Sequence, residues 1–167
     1  MASPQFGLPE EGRAWPDRPS VFGLARKARR IALVEIGDPS EQVWLALPGG
    51  GLEPGETPEI ALVREFAEET GLEVRPAGLV GESSDRVIIN AGRAFNVRGH
   101  FYTVDILGPS PGGVTEPDHR LVWKTPLEAI RRLHRPSHAW AVVEWLRGLQ
   151  GAGGHSRPTR GQGRRAS

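Results

Sequence analysis

The segment Gly50–Leu72, GGLEPGETPEIALVREFAEETGL, decides the fold, because a glycine-rich loop in it runs directly into a helix with clear ends. Thr57 is the predicted N-cap, and Pro58 fits the first helical position, where its missing N–H is not needed. Gly71 suits the left-handed position that ends many helices. The segment therefore predicts a helix over residues 58–70.

The two sides of this helix differ in character. At about 100° per residue, Glu65, Glu68 and Glu69 fall on one narrow arc. Carboxylates at these spacings repel by roughly a few tenths of a kcal/mol per pair unless a cation lies among them. Clustered carboxylate oxygens suit a hard cation such as Mg²⁺, and a solvated acidic face is the alternative. The opposite side is expected to pack in the core, with Ile60, Leu62, Val63, Phe66 and Ala67.

Fixed spacings link the glycine loop to the acidic arc. Five residues separate Gly50 from Glu56, and seven separate Glu56 from the run Arg-Glu-Phe-Ala-Glu-Glu-Thr-Gly-Leu. This pattern resembles the Nudix box, the signature of the Nudix hydrolase family. Phe66 stands where the family usually has an aliphatic residue, in a slot expected to face the core. The matching positions are Gly50, Glu56, Arg64, Glu65, Glu68, Glu69, Gly71 and Leu72.

The resemblance implies an α/β fold, a Nudix-type α/β/α sandwich with a mixed β-sheet. A capping box at Thr125–Glu128 predicts a short helix, and Ser137 is predicted to cap a second one. Trp140 and Trp145 have the helical spacing of core residues. Apolar runs predict strands at 21–25, 31–36, 42–47, 87–89, 94–97, 101–106 and 121–123.

The chain of 167 residues fits one domain with loose ends. Prolines break any regular pattern in residues 1–18, which are predicted to form a flexible N-terminal segment. Residues 19–150 are predicted to form the Nudix hydrolase domain. Residues 151–167 are rich in Gly and Arg and are predicted to be a disordered basic tail.

Composition and charge exclude several kinds of protein. The absence of cysteine excludes disulfides, thiolate metal sites and a cysteine nucleophile, and suits a reducing compartment. The first residues show neither a signal peptide nor a membrane anchor, so we expect a cytoplasmic protein with no membrane partner. The basic tail has no aromatic residue on which a base could stack, so nucleic acid is not the expected partner.

The resemblance implies a metal-dependent pyrophosphohydrolase that cleaves a nucleoside diphosphate linked to another moiety, so the expected partner is a small nucleotide-type substrate. Mg²⁺ is the implied metal, with Mn²⁺ as a second candidate. By position in the box, the metal ligands are Gly50, Glu65, Glu68 and Glu69. The catalytic residues it implies are Glu65, Glu68, Glu116 and Arg64, with Arg64 in an orienting role.

The general base is left between two positions. Glu65 is the candidate inside the box, and Glu116, in the loop before the last predicted strand, is the preferred candidate outside it. Glu82 and Asp85 are weaker candidates. The five histidines (His100, His119, His134, His138 and His155) show no metal-ligand spacing and are interpreted as structural or surface residues.

Two other functions are kept as alternatives. A Nudix-like domain that senses a nucleotide without cleaving it is one, although its box would usually be eroded. An RNA 5′-end pyrophosphohydrolase is the other, supported only by the arginines of the tail. The sequence names no single nucleotide as substrate, and it leaves a homodimer open.

Overall fold

The computed structural model describes residues 2–89 and 92–153, which form eight strands and three helices. No helix in these residues is long and apolar enough to cross a membrane. The strands are β1 (Gln5–Phe6), β2 (Asp17–Lys27), β3 (Arg30–Ile36), β4 (Trp44–Ala46), β5 (Gly49–Gly51), β6 (Leu72–Ile89), β7 (Arg93–Pro109) and β8 (His119–Lys124). The helices are α1 (Pro58–Thr70), α2 (Pro126–Arg132) and α3 (Pro136–Gly153).

The long strand β2 organises the sheet. It pairs in parallel with β7 and antiparallel with both β5 and β3. The strand order is β1-β6-β7-β2-β3-β4, with β5 beside β2 and β8 beside β3. The sheet is therefore mixed, as the sequence predicts.

Successive residues of β2 point to opposite faces of the sheet and enter two separate cores. Val21 and Ala25 belong to a cluster with Phe66 of α1. Phe22 and Leu24 belong to a second cluster that includes residues of α2 and α3. One helix covers one face and two helices cover the other, which confirms the predicted α/β/α sandwich.

Helix α1 has the predicted ends. The Thr57 hydroxyl accepts a hydrogen bond from the Ile60 N–H, and Pro58 is the first helical residue. Gly71 ends the helix in the left-handed conformation, with φ of 68°, and its N–H donates to the Ala67 carbonyl. These contacts fix where the acidic arc begins and ends along the chain.

The apolar side of α1 is narrower than predicted. Phe66 is fully buried, and a Cβ added to Gly23 of β2 would lie 2.4 Å from its ring, so helix and strand pack very closely. Ile60, predicted to face the core, is instead 57% exposed. Val63 and Ala67 are only half-buried. The core contact of α1 therefore centres on its second and third turns.

Strands β6 and β7 form a hairpin much longer than the three short strands predicted for this region. Register shifts fall between Glu73 and Val74, between Pro76 and Gly78, and near Gly81. These bulges accommodate the proline and the glycines that interrupt the apolar alternation, which is why the sequence did not reveal the first half of β6. Asn90 and Ala91 lie outside the described residues.

β2 begins at Asp17, shortly before the predicted start of the domain, and Gln5–Phe6 pairs in parallel with Ser84 and Asp85 of β6. Helix α3 extends to Gly153. The remainder of the predicted tail, 154–167, lies outside the described residues.

One helix cap differs from the prediction. The capping box of α2 at Thr125 is present, but α3 begins at Pro136, so Ser137 lies inside the helix and does not cap it. Its hydroxyl is buried and donates to Asp85 Oδ2 at 2.8 Å, because this face of the first turn packs against β6. Trp145 is buried and Trp140 packs against the same core, as predicted.

Candidate active site

The acidic arc of α1 faces the glycine turn at β5. A Cβ added to Gly50 would lie 2.6 Å from Glu65 Oε1, so the carboxylate would have to move. Glycine therefore lets the β5 backbone approach the helix carboxylate in the position it occupies. The structure places Gly50 beside Glu65, as the box resemblance implies.

Arg64 ties the glycine loop to the helix. Its guanidinium donates two hydrogen bonds to Glu56, at 2.6 and 2.8 Å, in the bidentate geometry that favours Arg over Lys. The same group donates to Glu65 at 3.0 Å, to Glu68 at 3.1 Å and to the Gly51 carbonyl at 3.2 Å. Its hydrogen bonds lower the pKa of Glu56 to about 2. Arg64 therefore pairs both with Glu56 of the loop, as predicted, and with the helix carboxylates Glu65 and Glu68.

Glu69 is the most enclosed carboxylate of the arc, at 5% exposed. The Gly49 N–H donates to its Oε2 at 2.9 Å, and His119 Nε2 lies 3.1 Å from its Oε1. Burial raises the pKa of Glu69, and its hydrogen bonds with His119 and Gly49 oppose that rise. The hydrogen bonds of His119 with Glu69 and Asp118 raise the pKa of His119 to about 9, against the effect of burial.

Glu65 carries a similar electrostatic strain. Burial and the nearby charge of Glu69 raise its pKa to about 7, although Arg64 favours the charged form. These carboxylates are packed more tightly than their own charges favour. A divalent cation would relieve this repulsion, and oxygen donors beside a side-chain-free glycine backbone fit Mg²⁺ or Mn²⁺. The residues present therefore fit the metal that the family resemblance implies.

The loop before β8 is fastened to the helix that carries the arc. The N–H groups of Thr115 and Glu116 both donate to the Glu68 carbonyl, at 2.9 and 3.2 Å. One donor atom from each of Glu116, Asp118 and His119 lies within 4.8 Å of the others. The structure therefore brings Glu116, the preferred base candidate from outside the box, to the same end of α1 as Glu69.

The two weaker base candidates lie elsewhere. Glu82 is half exposed and lies 3.2 Å from His100 Nε2. Asp85 is buried and accepts the hydrogen bond from Ser137. Within residues 2–89 and 92–153, neither makes a hydrogen bond or ion pair with the carboxylates of α1.

His119 contacts Glu69, a contact that the sequence does not predict. No second histidine lies at a ligand spacing from it, which is why the sequence interpretation makes it a structural or surface residue. The available signal was its position at the end of the polar run Thr-Glu-Pro-Asp-His, directly before a strand. The other described histidines do not join this cluster, and His155 lies outside the described residues.

A cavity of about 690 Å³ opens on the other side of β4. Phe22, Leu45 and Val87 give it apolar walls, and the rings of Trp44 and His134 lie 4.0 Å apart at its side. None of the carboxylates of α1 lines it. Aromatic and aliphatic walls of this kind are typical of a small-molecule site.

Besides His134, four polar or charged side chains line this cavity: Asp85, Arg86, Arg135 and His138. Burial lowers the pKa of both Arg135 and His138. His138 Nδ1 accepts the Leu47 N–H at 3.1 Å, while its buried Nε2 has no hydrogen-bond partner among the described residues. Donors and acceptors in an apolar cavity provide orientation for a bound ligand.

The cavity and the acidic arc meet along the same backbone. Phe22 lines the cavity and pairs across the sheet with Gly49, whose N–H holds Glu69. Leu47, held by His138, lies two residues before Gly49 in the chain. The cavity and the carboxylates therefore border the same stretch of backbone from opposite faces of the sheet.

The family model for the NUDIX domain matches residues 16–146. The chain belongs to the Nudix hydrolase family. The match covers the acidic arc, the loop at Glu116 and the cavity side chains together.

Relatives of the chain are named for different substrates. An ADP-ribose pyrophosphatase of Methanocaldococcus jannaschii is 36% identical over 95 residues, which cover 53% of this chain and 51% of that protein. This Nudix chain therefore matches about half the length of that relative. A Mycobacterium tuberculosis protein named "Putative 8-oxo-dGTP diphosphatase 2" is 39% identical over 107 residues, which cover 64% of this chain and 71% of that protein.

Solved structures confirm the fold. A NUDIX hydrolase from Nitrosomonas europaea superposes with a TM-score of 0.67 at 22% identity, covering 80% of this chain and 90% of that one. The solution structure of the E. coli ORF135 protein has a TM-score of 0.64 at 27% identity, covering 87% of this chain and 96% of that one. The predicted α/β class and sandwich architecture are those of the family.

Proposed function

We propose that this Nudix protein is a metal-dependent pyrophosphohydrolase that cleaves a nucleoside diphosphate linked to another moiety. The observation that supports it most directly is the meeting of Gly50 and three helix carboxylates at a turn fastened by the Arg64–Glu56 pair. A merely solvated acidic face would need neither the fastening nor the glycine approach. The intact carboxylates also favour hydrolysis over nucleotide sensing.

The metal is held, in this proposal, by Glu65, Glu68 and Glu69 with the Gly50 carbonyl. Mg²⁺ is the first candidate and Mn²⁺ the second, since both prefer oxygen donors. When bound, such an ion neutralises phosphate charge and lowers the pKa of a coordinated water. Arg64 keeps the loop and the helix carboxylates in register, which makes it a positioning residue.

Glu116 is the proposed general base, with Glu65 as the alternative. The hydrogen bonds of its loop to the Glu68 carbonyl place Glu116 at the end of α1 where Glu69 also lies. The two candidates differ in what their loss should do. Glu116→Gln should lower kcat while metal affinity stays, whereas Glu65→Gln should weaken metal binding, as measured by calorimetric titration.

The nucleoside part of the substrate is proposed to occupy the cavity beside β4. Trp44 and His134 offer aromatic surface for a base, Arg135 offers donors, and Asp85 offers an acceptor. The names of the relatives quoted above refer to nucleotides with purine bases, which suggests a purine nucleotide or nucleotide derivative. No membrane partner enters this proposal.

The setting of the reaction is also inferred. We infer that the protein acts in the cytoplasm, because its substrates are free nucleotides and the chain has no cysteine that an oxidising compartment would use. The RNA alternative rests on the arginines of the tail, which lie outside the described residues. The homodimer stays a prediction that size measurement in solution checks.

Product analysis tests the proposed function. The purified full chain is incubated with dNTPs, 8-oxo-dGTP, ADP-ribose, diadenosine polyphosphates, NADH and a 5′-triphosphorylated RNA, each with Mg²⁺ and with EDTA. We expect Mg²⁺-dependent cleavage of a phosphoric anhydride bond in at least one free nucleotide. Binding of a nucleotide without cleavage of any compound would support the sensor alternative, and cleavage of the RNA alone would support the RNA alternative.

A further inference from the structure

His119 is held on both sides of its ring. Its Nδ1 lies 2.9 Å from Asp118 Oδ1, and its Nε2 lies 3.1 Å from Glu69 Oε1. The side chain is 14% exposed, so its orientation is set by the protein. The sequence interpretation gave this residue no role, and the pyrophosphohydrolase proposed above does not require it.

This arrangement is the one that metal-binding histidines use. A ligating histidine typically donates one ring N–H to a carboxylate, which fixes the tautomer and leaves the other nitrogen free to bind metal. Asp118 supplies that carboxylate at Nδ1. Nε2 is then directed at Glu69 Oε1, which is the oxygen of Glu69 that the Gly49 N–H does not hold.

The separation of Nε2 and Oε1 also suits a shared cation. Two acceptor atoms cannot face each other this closely unless a proton or a cation lies between them. Neighbouring ligands of an octahedral ion, at about 2.1 Å from it, are about 3.0 Å apart. The 3.1 Å between His119 Nε2 and Glu69 Oε1 matches this spacing without any rearrangement.

The loop that carries His119 is fastened to the helix that carries Glu69. The Glu116 N–H donates to the Glu68 carbonyl at 3.2 Å. Glu69 and His119 thus offer one oxygen and one nitrogen from two fastened elements. We propose that His119 Nε2 is a metal ligand, which makes this a mixed imidazole–carboxylate site that prefers Mn²⁺ to Mg²⁺.

The preference follows from ligand chemistry. Imidazole nitrogen suits transition metals, whereas Mg²⁺ prefers an all-oxygen shell. Mn²⁺ accepts both kinds of donor and binds carboxylates as Mg²⁺ does. The inference rests on the proposed metal-dependent function, and it adds a ligand that the Nudix box does not contain.

Pulsed electron paramagnetic resonance of Mn²⁺ bound to the full chain tests this inference directly. We expect electron spin-echo modulation from a directly coordinated ¹⁴N in the wild type, and its loss in His119→Gln. Titration should show about a tenfold or greater loss of Mn²⁺ affinity in His119→Gln, with Mg²⁺ affinity changed by less than about twofold. Thermal unfolding of the variant checks that it is folded.

His100→Gln is the matched control. His100 Nε2 lies 3.2 Å from Glu82 Oε1, so the variant removes a His–Glu contact of the same kind outside the cluster. It should leave the ¹⁴N modulation and the affinity for both metals unchanged. Equal effects of the two substitutions would overturn the assignment.

Other outcomes separate this inference from the proposed function. The inference would be overturned if the chain bound no Mn²⁺, or bound Mn²⁺ without a coordinated nitrogen. Tighter Mn²⁺ binding by His119→Gln would also overturn it, because that result would show His119 competing with the metal for Glu69. Coordinated nitrogen in a protein that cleaves no nucleotide would leave the inference standing and remove the proposed function. Nucleotide cleavage by a protein whose Mn²⁺ shows no ¹⁴N coupling would leave the proposed function standing and overturn the inference.

Discussion

Among single residues, Glu56 is the one through which the glycine loop is held to the helix. Its bidentate pair with Arg64 lowers its pKa from 4.5 to about 2 in the folded chain. A carboxylate with a lowered pKa in the folded state stabilises the protein above the unfolded pKa, and this stability is lost as pH falls towards the folded pKa. The pair therefore acts fully above about pH 4.5 and weakens between about pH 4.5 and 2.

We expect Glu56→Gln to lower the free energy of unfolding at pH 7, and to lower it less at pH 3. Urea denaturation of both proteins at the two pH values measures the difference. Glu53, an exposed acid of the same loop, provides the control Glu53→Gln, which should change little at either pH. The ion-pair account would be contradicted if the free energies of unfolding of wild type and Glu56→Gln differed as much at pH 3 as at pH 7.

The ionisation of Glu65 should destabilise the folded protein, whereas that of Glu56 stabilises it. Its folded pKa is raised from 4.5 to about 7, so its ionisation opposes folding above about pH 4.5, with the full effect reached above pH 7. In EDTA at pH 8, Glu65→Gln should therefore be more stable than the wild type, and the gain should vanish at pH 4.5. Differential scanning calorimetry measures both. A loss of stability at pH 8 would show that the carboxylate is not electrostatically strained.

The sequence predicted most of the arc but not its partner on the loop. Gly50, Glu65, Glu68 and Glu69 were predicted because helix and box spacings are local. His119 meets Glu69 only after β8 has paired with β3. Such a contact depends on tertiary register, which no local spacing encodes.

At the scale of elements, the glycine turn of β5 must lie against α1. A Cβ on Gly50 would meet Glu65 Oε1 at 2.6 Å, so Gly50→Ala should push the turn and the carboxylate apart. We expect roughly a hundred-fold loss of Mg²⁺-dependent turnover with modest loss of stability. Gly112→Ala is the control, because a Cβ there meets nothing within 4 Å. Equal turnover in the two variants would show that catalysis does not need the close approach of Gly50 to Glu65.

The N-terminal strand β1 is a second element with a testable contribution. The Ser84 N–H donates to the Pro4 carbonyl at 2.9 Å, and the ring of Phe6 lies 6.5 Å from that of Trp140. Phe6→Ala should lower the unfolding temperature by roughly 2–4 °C. Leu8→Ala, at a side chain that is 89% exposed, should leave it unchanged. A fully flexible segment, as predicted from the prolines, would make the two variants indistinguishable.

The helix ends were predicted correctly where a local capping motif determines them. The ends of α1 and the capping box of α2 depend on local caps, and both were correct. The first half of β6 was missed because Pro76 and the neighbouring glycines sit at bulges in a ladder held together by β7. Ser137 was misassigned because the same hydroxyl serves a tertiary hydrogen bond.

For the whole molecule, the sandwich places the cavity and the acidic arc on opposite sides of a shared backbone. β2 carries Phe22 to the cavity while its partner Gly49 holds Glu69. The family resemblance predicted the architecture, but the cavity is assembled from β2, β4, β6 and α3. Segments so distant in sequence meet only in the folded protein, so the cavity could not be located beforehand.

The central claim is that the carboxylates of α1 carry out metal-dependent hydrolysis. Its most direct test compares Mg²⁺-dependent turnover of the best substrate by the wild type, Glu69→Gln and Glu144→Gln. Glu144 forms a surface pair with Arg147 at 2.8 Å on α3, so its loss should change turnover by less than about twofold. We predict that Glu69→Gln loses at least about a hundred-fold while remaining folded. Wild-type turnover in Glu69→Gln would contradict the account.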